Sequence, residues 1–157
     1  MIRIVFVCLG NICRSPLAEG VFQKHVQQLG LTAHFQLDSA GTASYHIGSL
    51  ADKRSIQVAR NHGINLTHRA RAFVADDFTR FDYIVAMDKQ NKADILRLQP
   101  KEGGAKVVLM RDFDPEQPGA EVPDPYYGEL KDFEEVYQLL ERSCTVFLST
   151  LLQSAES

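Results

Sequence analysis

Cysteine is scarce in this chain, and its distribution argues against two classes of site. The 157 residues include only three cysteines, Cys8, Cys13 and Cys144. Three scattered cysteines fit a reducing compartment better than a disulfide scaffold. Cys8 and Cys13 are too far apart for the usual short zinc-binding pair, and no paired histidines follow them. We therefore expect no disulfide framework, no metal and no other cofactor.

Long apolar runs and an excess of basic residues are also missing. No stretch approaches the roughly 18 apolar residues that cross a bilayer. The apolar residues 1–7 lack the length and the cleavage site of a signal peptide, so we expect a cytoplasmic protein. The net charge is -3, which argues against nucleic acid or an anionic membrane as a partner. An anionic ligand must instead be bound locally, by a few hydrogen-bond donors or cationic side chains that point at it.

What is present is the composition of an ordinary globular domain. Hydrophobic residues make up 45% of the chain and charged residues 24%. The length suffices for one domain with its own core, and no repeat, low-complexity tract or linker divides it. We therefore expect a single domain over residues 1–157.

Short apolar runs alternate with amphipathic stretches, which is the pattern of βαβ units and a parallel sheet. The predicted strands span residues 2–7, 34–40, 81–87 and 105–110. The predicted helices span residues 16–29, 52–62, 88–98 and 132–152, with a long loop over 112–128. The first helix is predicted to bury Leu17, Val21, Phe22, Val26 and Leu29, and to end at Gly30.

Four strands with interleaved helices predict an open, doubly wound α/β domain, in which a four-stranded parallel sheet carries helices on both faces. In such a sheet, ligands bind beyond the carboxyl ends of the strands. Cys8 follows the first predicted strand directly, so its position alone makes it a candidate site residue.

Residues 8–14 connect this strand to the first helix, and their sequence is suited to holding an anion. Backbone N–H groups in such a connection can point inward, where the helix N-terminus adds partial positive charge. Gly10 lets the backbone turn, and Asn11 tolerates a left-handed conformation. Ser15 is a candidate N-cap, and Pro16 suits the first helical position.

A phosphate bound in this loop would meet groups that can cleave its ester. Arg14 offers a planar fork that binds two oxygens, and the inward field favours the thiolate of Cys8. The Ser15 hydroxyl could donate a further hydrogen bond to the sulfur. An arginine six residues after a cysteine is weak evidence on its own, because it occurs by chance about one time in twenty. The flanking strand and helix make the interpretation stronger.

A second group is needed, since splitting a phosphate ester requires an acid that protonates the leaving oxygen. The long loop supplies Asp124, whose direction Pro125 helps to fix. Tyr126 and Tyr127 beside it could form the wall of a crevice for an aromatic ring. Taken alone, these residues could equally form a simple turn with two tyrosines packed on the core.

This chain resembles the low-molecular-weight protein tyrosine phosphatases in two motifs, residues 7–16 (VCLGNICRSP) and residues 124–127 (DPYY). The resemblance covers essentially the whole chain. It implies a flavodoxin-like sheet and a phosphocysteine intermediate. It also implies that Cys8 is the nucleophile, Arg14 the phosphate clamp and Asp124 the general acid. The phosphate would be held by Leu9, Gly10, Asn11, Ile12, Cys13 and Arg14.

Further roles are implied residue by residue. Asn11, Ser39 and His68 match a hydrogen-bond network that supports the loop. Cys13 matches a second loop cysteine that can form a disulfide with the nucleophile under oxidation and so protect it. The crevice positions of the family are matched by Tyr45, Tyr126 and Tyr127.

The expected partners are a phosphotyrosine-containing protein or an aryl phosphate as substrate, and inorganic phosphate as product. We expect a monomer, and weak self-association stays open. Two alternatives remain. An arsenate reductase of the same fold would need further cysteines on a mobile segment, and none lies between Cys13 and Cys144. A phosphocysteine carrier or phosphate-binding module would need Cys8, but neither Arg14 nor an acid.

Overall fold

The computed structural model describes residues 1–102 and 104–156. Its strands are β1 (Ile2–Cys8), β2 (Phe35–Gly41), β3 (Tyr83–Ala86) and β4 (Lys106–Leu109). They form one four-stranded sheet in the order β2-β1-β3-β4, and every neighbouring pair is parallel. The predicted α/β class and parallel sheet are therefore confirmed.

Within the described residues, five α-helices connect and cover the strands. Their bounds are α1 (Arg14–Gln28), α2 (Lys53–Asn61), α3 (Asp77–Arg80), α4 (Lys89–Leu96) and α5 (Leu130–Glu156). Short 3-10 turns span Thr32–His34 and Met110–Phe113. The one-turn helix α3 was not predicted, because four residues are too few to show a 3.6-residue period.

Three details at the ends of α1 differ from the prediction. The helix begins at Arg14, so Ser15 is not its N-cap and Pro16 is not its first residue. The buried Ser15 hydroxyl instead faces Cys8. At the other end, Leu29 is exposed rather than buried, because it lies beyond the last helical turn. Gly30 does end the helix, with a φ of 68° that a side chain would disfavour.

The core lies on both faces of the sheet, because β1 alternates its side chains between two clusters. Ile4, Phe6 and Cys8 pack with the apolar faces of α1 and α5. Val5 and Val7 pack in the second cluster, together with residues from α3 and α4. The stripe predicted for the last helix is buried as expected: Phe133, Val136, Tyr137, Leu140, Cys144, Phe147, Leu148 and Leu151.

The strand order places the switch point of the sheet at β1. The chain moves from β1 to β2 on one side, and then crosses to β3 on the other. A crevice opens at such a point beyond the carboxyl ends of the strands. Residues 8–14 lie at this point, between β1 and α1. Among the described residues, no helix is both long and apolar enough to cross a membrane.

Candidate active site

A cavity of about 260 Å³ opens at the carboxyl end of β1. Its floor comes from the 8–14 loop, and its lining includes Cys8, Arg14 and Asp124. The rim is aromatic. It comprises Tyr45, His46, Tyr126 and Tyr127. The thiol, guanidinium and carboxyl groups proposed from the sequence therefore share one cavity.

Three carbonyl oxygens of the 8–14 loop accept hydrogen bonds from backbone N–H groups that lie outside the loop. The oxygens of Cys8 and Leu9 accept hydrogen bonds from the backbone N–H groups of Thr42 and Ala43, each at 2.9 Å. The Ile12 oxygen accepts one from the Asp52 N–H at 2.8 Å. In a trans peptide the C=O and N–H groups point in opposite directions. The N–H groups that follow these three carbonyls therefore point away from the three outside donors and toward the inside of the loop.

Asn11 and Gly10 have different roles in shaping the loop. Asn11 has a φ of 56°, the left-handed conformation predicted for it. Gly10 is not among the residues with positive φ, so its conformational freedom is not what the loop uses. A Cβ at Gly10 would lie 3.1 Å from Cδ2 of His46. The missing side chain therefore lets His46 pack against the loop. Gly41 makes a similar close approach, since a Cβ there would lie 2.8 Å from the Leu9 oxygen.

A directed chain of hydrogen bonds ends on the sulfur of Cys8. The Arg71 backbone N–H donates to Asn11 Oδ1 at 3.0 Å, which fixes the orientation of that amide. Asn11 Nδ2 therefore donates to Ser15 Oγ at 2.8 Å. The one hydrogen of Ser15 Oγ can be donated to Cys8 Sγ, 3.1 Å away, or to the Ala40 oxygen at 3.4 Å, and a negatively charged sulfur would be the stronger acceptor. A hydroxyl that donates to sulfur stabilises a thiolate.

His68 and Ser39 join this chain at different points. His68 Nε2 lies 2.9 Å from Asn11 Oδ1, which can only accept, so Nε2 carries the hydrogen. The hydrogen bond of the Ser39 hydroxyl goes to a residue outside the 8–14 loop. This hydroxyl donates to Glu19 Oε1 at 2.7 Å, and Glu19 lies 3.8 Å from His68 Nδ1. The structure thus joins Asn11 and His68 directly, whereas the Ser39 hydroxyl is bonded to Glu19, and the loop-supporting role implied for the three residues stays a prediction.

Glu19, Asp38 and His68 are also the group that could be considered for a metal, since their ligand atoms lie within 4.8 Å of one another. Hydrogen bonds already engage them. Asp38 accepts from Arg71 Nε at 2.9 Å, and Glu19 accepts from Ser39. Burial raises the pKa of Glu19 to about 7, with a further rise from Asp38. This group is better suited to supporting the loop than to holding an ion.

Arg14 is almost completely buried and has partners on both sides of its fork. Nη1 donates to Asp88 Oδ2 at 2.7 Å and to the Val122 oxygen at 3.0 Å. Nη2 lies 3.6 Å from Asp124 Oδ2. Burial alone would lower the pKa of Arg14, but negative charge at Cys8, Asp88 and Asp124 raises it. The guanidinium is therefore a fixed cation beside the Cys8 sulfur.

The three tyrosines of the rim are exposed rather than packed on the core. Tyr127 is 97% exposed, Tyr45 77% and Tyr126 38%. Tyr126 packs edge-on against Tyr127, with their ring centroids 5.0 Å apart. Its backbone N–H donates to Asp124 Oδ1 at 3.1 Å. Exposed apolar rings around a cavity are suited to contact with a ligand.

Cys8, Cys13 and Cys144 are all buried free thiols. Cys13 lines the cavity together with Cys8. Burial, together with negative charge at Asp52 and Cys8, raises the pKa of the Cys13 thiol far above its usual value. Cys144 lies on α5 in the core, where burial likewise raises its pKa.

Sequence reasoning missed several residues of this site. Asp88 follows β3 and lies at the carboxyl edge of the sheet, next to Cys8. The rule that ligands bind beyond the carboxyl ends of the strands, which made Cys8 a candidate, could have identified Asp88 as well. Asp38 interrupts the apolar pattern of β2, which is itself a signal. Glu19 and His46 gave no signal, because their contacts come from segments distant in the sequence.

A fold and a site of this kind define a class of enzyme, and comparison with known proteins identifies it. A family model described as low molecular weight phosphotyrosine protein phosphatase matches residues 3–157. The chain belongs to this family. Its members are hydrolases that act on phosphomonoesters, and their substrates are phosphoproteins or aryl phosphates.

Individual relatives agree with this assignment over nearly the full length. The low molecular weight phosphotyrosine protein phosphatase of Sus scrofa is 44% identical over 147 residues, which cover 92% of each chain. The low molecular weight protein-tyrosine-phosphatase of Streptomyces coelicolor is 43% identical over 157 residues, covering 98% of this chain and 96% of the relative. A crystal structure of a protein tyrosine phosphatase from Entamoeba histolytica, with Hepes in the active site, superposes with a TM-score of 0.94. It is 42% identical and covers 99% of both chains.

Proposed function

We propose that this protein hydrolyses aryl phosphomonoesters, phosphotyrosine above all, through a phosphocysteine intermediate on Cys8. The observation that carries the proposal is that one cavity is lined by Cys8, Arg14 and Asp124. A nucleophile, an anion clamp and an acid are the parts that phosphoryl transfer through a covalent intermediate requires. The family assignment favours this reaction over the arsenate reductase and the phosphocysteine carrier.

In the first step, the Cys8 thiolate attacks phosphorus and forms the S–P bond. The bond between phosphorus and the leaving oxygen breaks, and Asp124 transfers its proton to that oxygen. The N–H groups of the 8–14 loop that point inward, together with the Arg14 guanidinium, stabilise the charge on the remaining oxygens. Ser15 donates its hydrogen bond to the sulfur whenever the sulfur is negative.

In the second step, the Asp124 carboxylate takes a proton from water, and the water oxygen attacks phosphorus. The S–P bond breaks, and inorganic phosphate and the Cys8 thiolate are released. Asp124 is again protonated and ready for the next substrate. The same carboxyl group thus acts as acid and then as base, as reversal of the first proton transfer requires.

The rim supports an aromatic leaving group. The sulfur lies at the bottom of a cup, and a short phosphoserine side chain would bring its peptide backbone against Tyr45 and Tyr127. A phosphotyrosine side chain is longer, and its ring can pack between the exposed aromatic residues. We therefore expect phosphotyrosine peptides to be preferred over phosphoserine peptides of the same sequence.

The mechanism is tested with two variants and two substrates. Cys8→Ser should abolish turnover of para-nitrophenyl phosphate while vanadate still binds, since the loop is retained. Asp124→Ala should slow phenyl phosphate, a poor leaving group, about tenfold more than para-nitrophenyl phosphate, because only the poor leaving group depends strongly on the acid. Glu129→Ala, which removes a nearby exposed acid, serves as the control.

Different outcomes would overturn different parts of the proposal. Near-normal turnover by Cys8→Ser would exclude Cys8 as the nucleophile. Equal slowing of both esters by Asp124→Ala would exclude Asp124 as the acid. A single stoichiometric phosphorylation of the wild-type protein, without turnover, would support the carrier instead.

A further inference from the structure

Arg54, in the first turn of α2, binds the segment that carries Asp124. Its Nη2 donates to the Tyr126 oxygen at 2.9 Å, and its Nη1 donates to the Gly128 oxygen at 2.8 Å. The guanidinium carbon lies 4.4 Å from the ring centroid of Phe133 in α5. One side chain therefore joins α2 and α5 to the backbone just after Asp124.

Asp52 fixes the position of this guanidinium. Its carboxylate accepts from Arg54 Nε at 3.0 Å and from Nη2 at 2.9 Å. It also accepts from the Arg54 backbone N–H at 2.8 Å, which makes it the N-cap of α2. These hydrogen bonds from Arg54 lower the pKa of Asp52, so the pair is charged at neutral pH. Because Asp52 binds the Arg54 guanidinium through both carboxylate oxygens and is itself fixed at the helix N-terminus, the guanidinium has little freedom to change its orientation.

The same turn of α2 is tied to the 8–14 loop. The Asp52 N–H donates to the Ile12 oxygen at 2.8 Å, and the Ser55 hydroxyl donates to the Cys13 oxygen at 3.2 Å. The start of α2 thus contacts both parts of the site, the loop that carries Cys8 and the segment that carries Asp124.

Asp124 lies between two anchors of its segment. On one side, the Val122 oxygen accepts from Arg14, and the Val122 N–H donates to the Met87 oxygen at 2.8 Å. On the other side, the Tyr126 oxygen is held by Arg54. The first anchor belongs to the phosphate clamp itself. The second depends on Arg54, whose side chain does not line the cavity.

We propose that Arg54, held by Asp52, is the positioning residue that sets the Asp124 carboxyl over the leaving oxygen. The inference rests on the acid role proposed for Asp124 and adds a residue that controls it. Arg54 touches neither the substrate nor the reacting atoms. Its effect on the reaction passes through the backbone of residues 124–128.

The chemistry of the side chain matters as well as its charge. Arg54 binds two carbonyl oxygens and one carboxylate with a rigid planar fork, and stacks on Phe133 at the same time. A lysine ammonium is a flexible point charge that cannot reproduce this set. Arg54→Lys therefore separates the positioning role from simple charge, and it is also the variant that best preserves folding.

The test measures leaving-group dependence in Arg54→Lys and Arg54→Ala. Each should slow phenyl phosphate about tenfold while slowing para-nitrophenyl phosphate less than about threefold, because only the acid is misplaced. Inhibition by vanadate, which reports the 8–14 loop, should stay within about twofold of wild type. Arg3→Ala, which removes a comparable arginine–aspartate pair with Asp82 at the start of β1, is the control for general loss of stability.

Double variants make the test independent of folding. In the Asp124→Ala background, Arg54→Lys should add less than about a twofold effect on phenyl phosphate, because the group it positions is already gone. Full additivity of the two changes would overturn the proposal, as would equal slowing of both esters or weakened vanadate inhibition in Arg54→Lys. If Asp124→Ala itself lacks leaving-group dependence, the acid assignment fails rather than the role of Arg54.

Discussion

Arg14 is held by Asp88, with 2.7 Å between Nη1 of the guanidinium and Oδ2 of the carboxylate. The same carboxylate caps α4, accepting the Asn91 N–H at 2.7 Å. The orientation of the phosphate clamp is thereby tied to a helix on the far side of the sheet from α1. Such a link explains how a buried cation keeps one geometry beside the thiol, and it suggests the first of four predictions.

Asp88→Asn should weaken phosphate binding. Asparagine still caps a helix, so the N-terminus of α4 is retained. It cannot pair with a guanidinium as a carboxylate does, and Arg14 loses its strongest anchor. The inhibition constant for inorganic phosphate should rise about tenfold, the equivalent of about 1.4 kcal/mol. Asp94→Asn, which changes a half-buried carboxylate elsewhere on α4, is the control. An unchanged inhibition constant in Asp88→Asn would contradict the anchoring role.

Ser15→Ala should reduce activity through the sulfur of Cys8. The variant removes the hydroxyl that lies 3.1 Å from Cys8 Sγ and leaves the loop backbone intact. A hydrogen bond to a charged group contributes about 1.5–3 kcal/mol, so kcat/KM should fall at least about tenfold.

The pH profile distinguishes this effect from a packing defect. Because the thiolate loses a donor, the acidic limb of kcat/KM should move to higher pH in Ser15→Ala. Ser143→Ala, a change of the same size in the core on α5, should leave the profile unchanged. A uniform loss of activity at all pH values in Ser15→Ala would point to packing instead.

Cys13→Ser should make oxidative inactivation harder to reverse. Peroxide converts the Cys8 thiolate to a sulfenic acid, and the Cys13 thiol can condense with it, releasing water and forming a disulfide. Dithiothreitol reduces that disulfide and restores the enzyme. Without Cys13, oxidation proceeds to species that thiols do not reduce.

The measurement is the fraction of activity that dithiothreitol recovers after a fixed exposure to peroxide. We expect high recovery for wild type and for Cys144→Ser, whose cysteine lies in the core away from the cavity. Equal recovery in Cys13→Ser would show that Cys13 does not protect Cys8.

Asp114→Asn should destabilise the fold at neutral pH more than in acid. Burial alone would raise the pKa of Asp114, but hydrogen bonds from Arg142, Arg111 and the Glu116 N–H hold it well below its usual range. A carboxyl with a depressed folded-state pKa contributes stability above its usual pKa of about 4, and loses it as the pH falls further. Removing one partner of such a buried pair costs about 3 kcal/mol.

Urea unfolding at pH 7 and near pH 3 checks this prediction. The difference in unfolding free energy between wild type and Asp114→Asn should be large at pH 7 and smaller in acid. Glu116→Gln, which alters an exposed partner of Arg142, should show a small difference at both pH values. A difference that does not change with pH would exclude the charge of Asp114 as the cause.

The sequence by itself determined the class of fold and the candidate residues for the reaction. Continuous apolar runs such as 2–7 are typical of strands covered on both faces, and the 3.6-residue period of 132–152 predicts a helix with one buried stripe. These are local patterns, and both were confirmed. The Cys8, Arg14 and Asp124 candidates likewise came from local motifs, and the structure places them around one cavity.

Only the tertiary structure decided how those residues are held. Ser15 looked like a helix cap, yet its hydroxyl faces the Cys8 sulfur, because the helix begins at Arg14 rather than at Pro16. Asp88 and Val122, which bind Arg14, and His68, which binds Asn11, lie 57 to 108 residues away in the chain from the residues that they hold. Periodicity carries no information about such pairings. The local sequence supplies the candidate groups. Their arrangement around one cavity depends on long-range contacts, such as the hydrogen bonds from the start of α2 to the 8–14 loop and to the Tyr126 backbone, which no local pattern encodes.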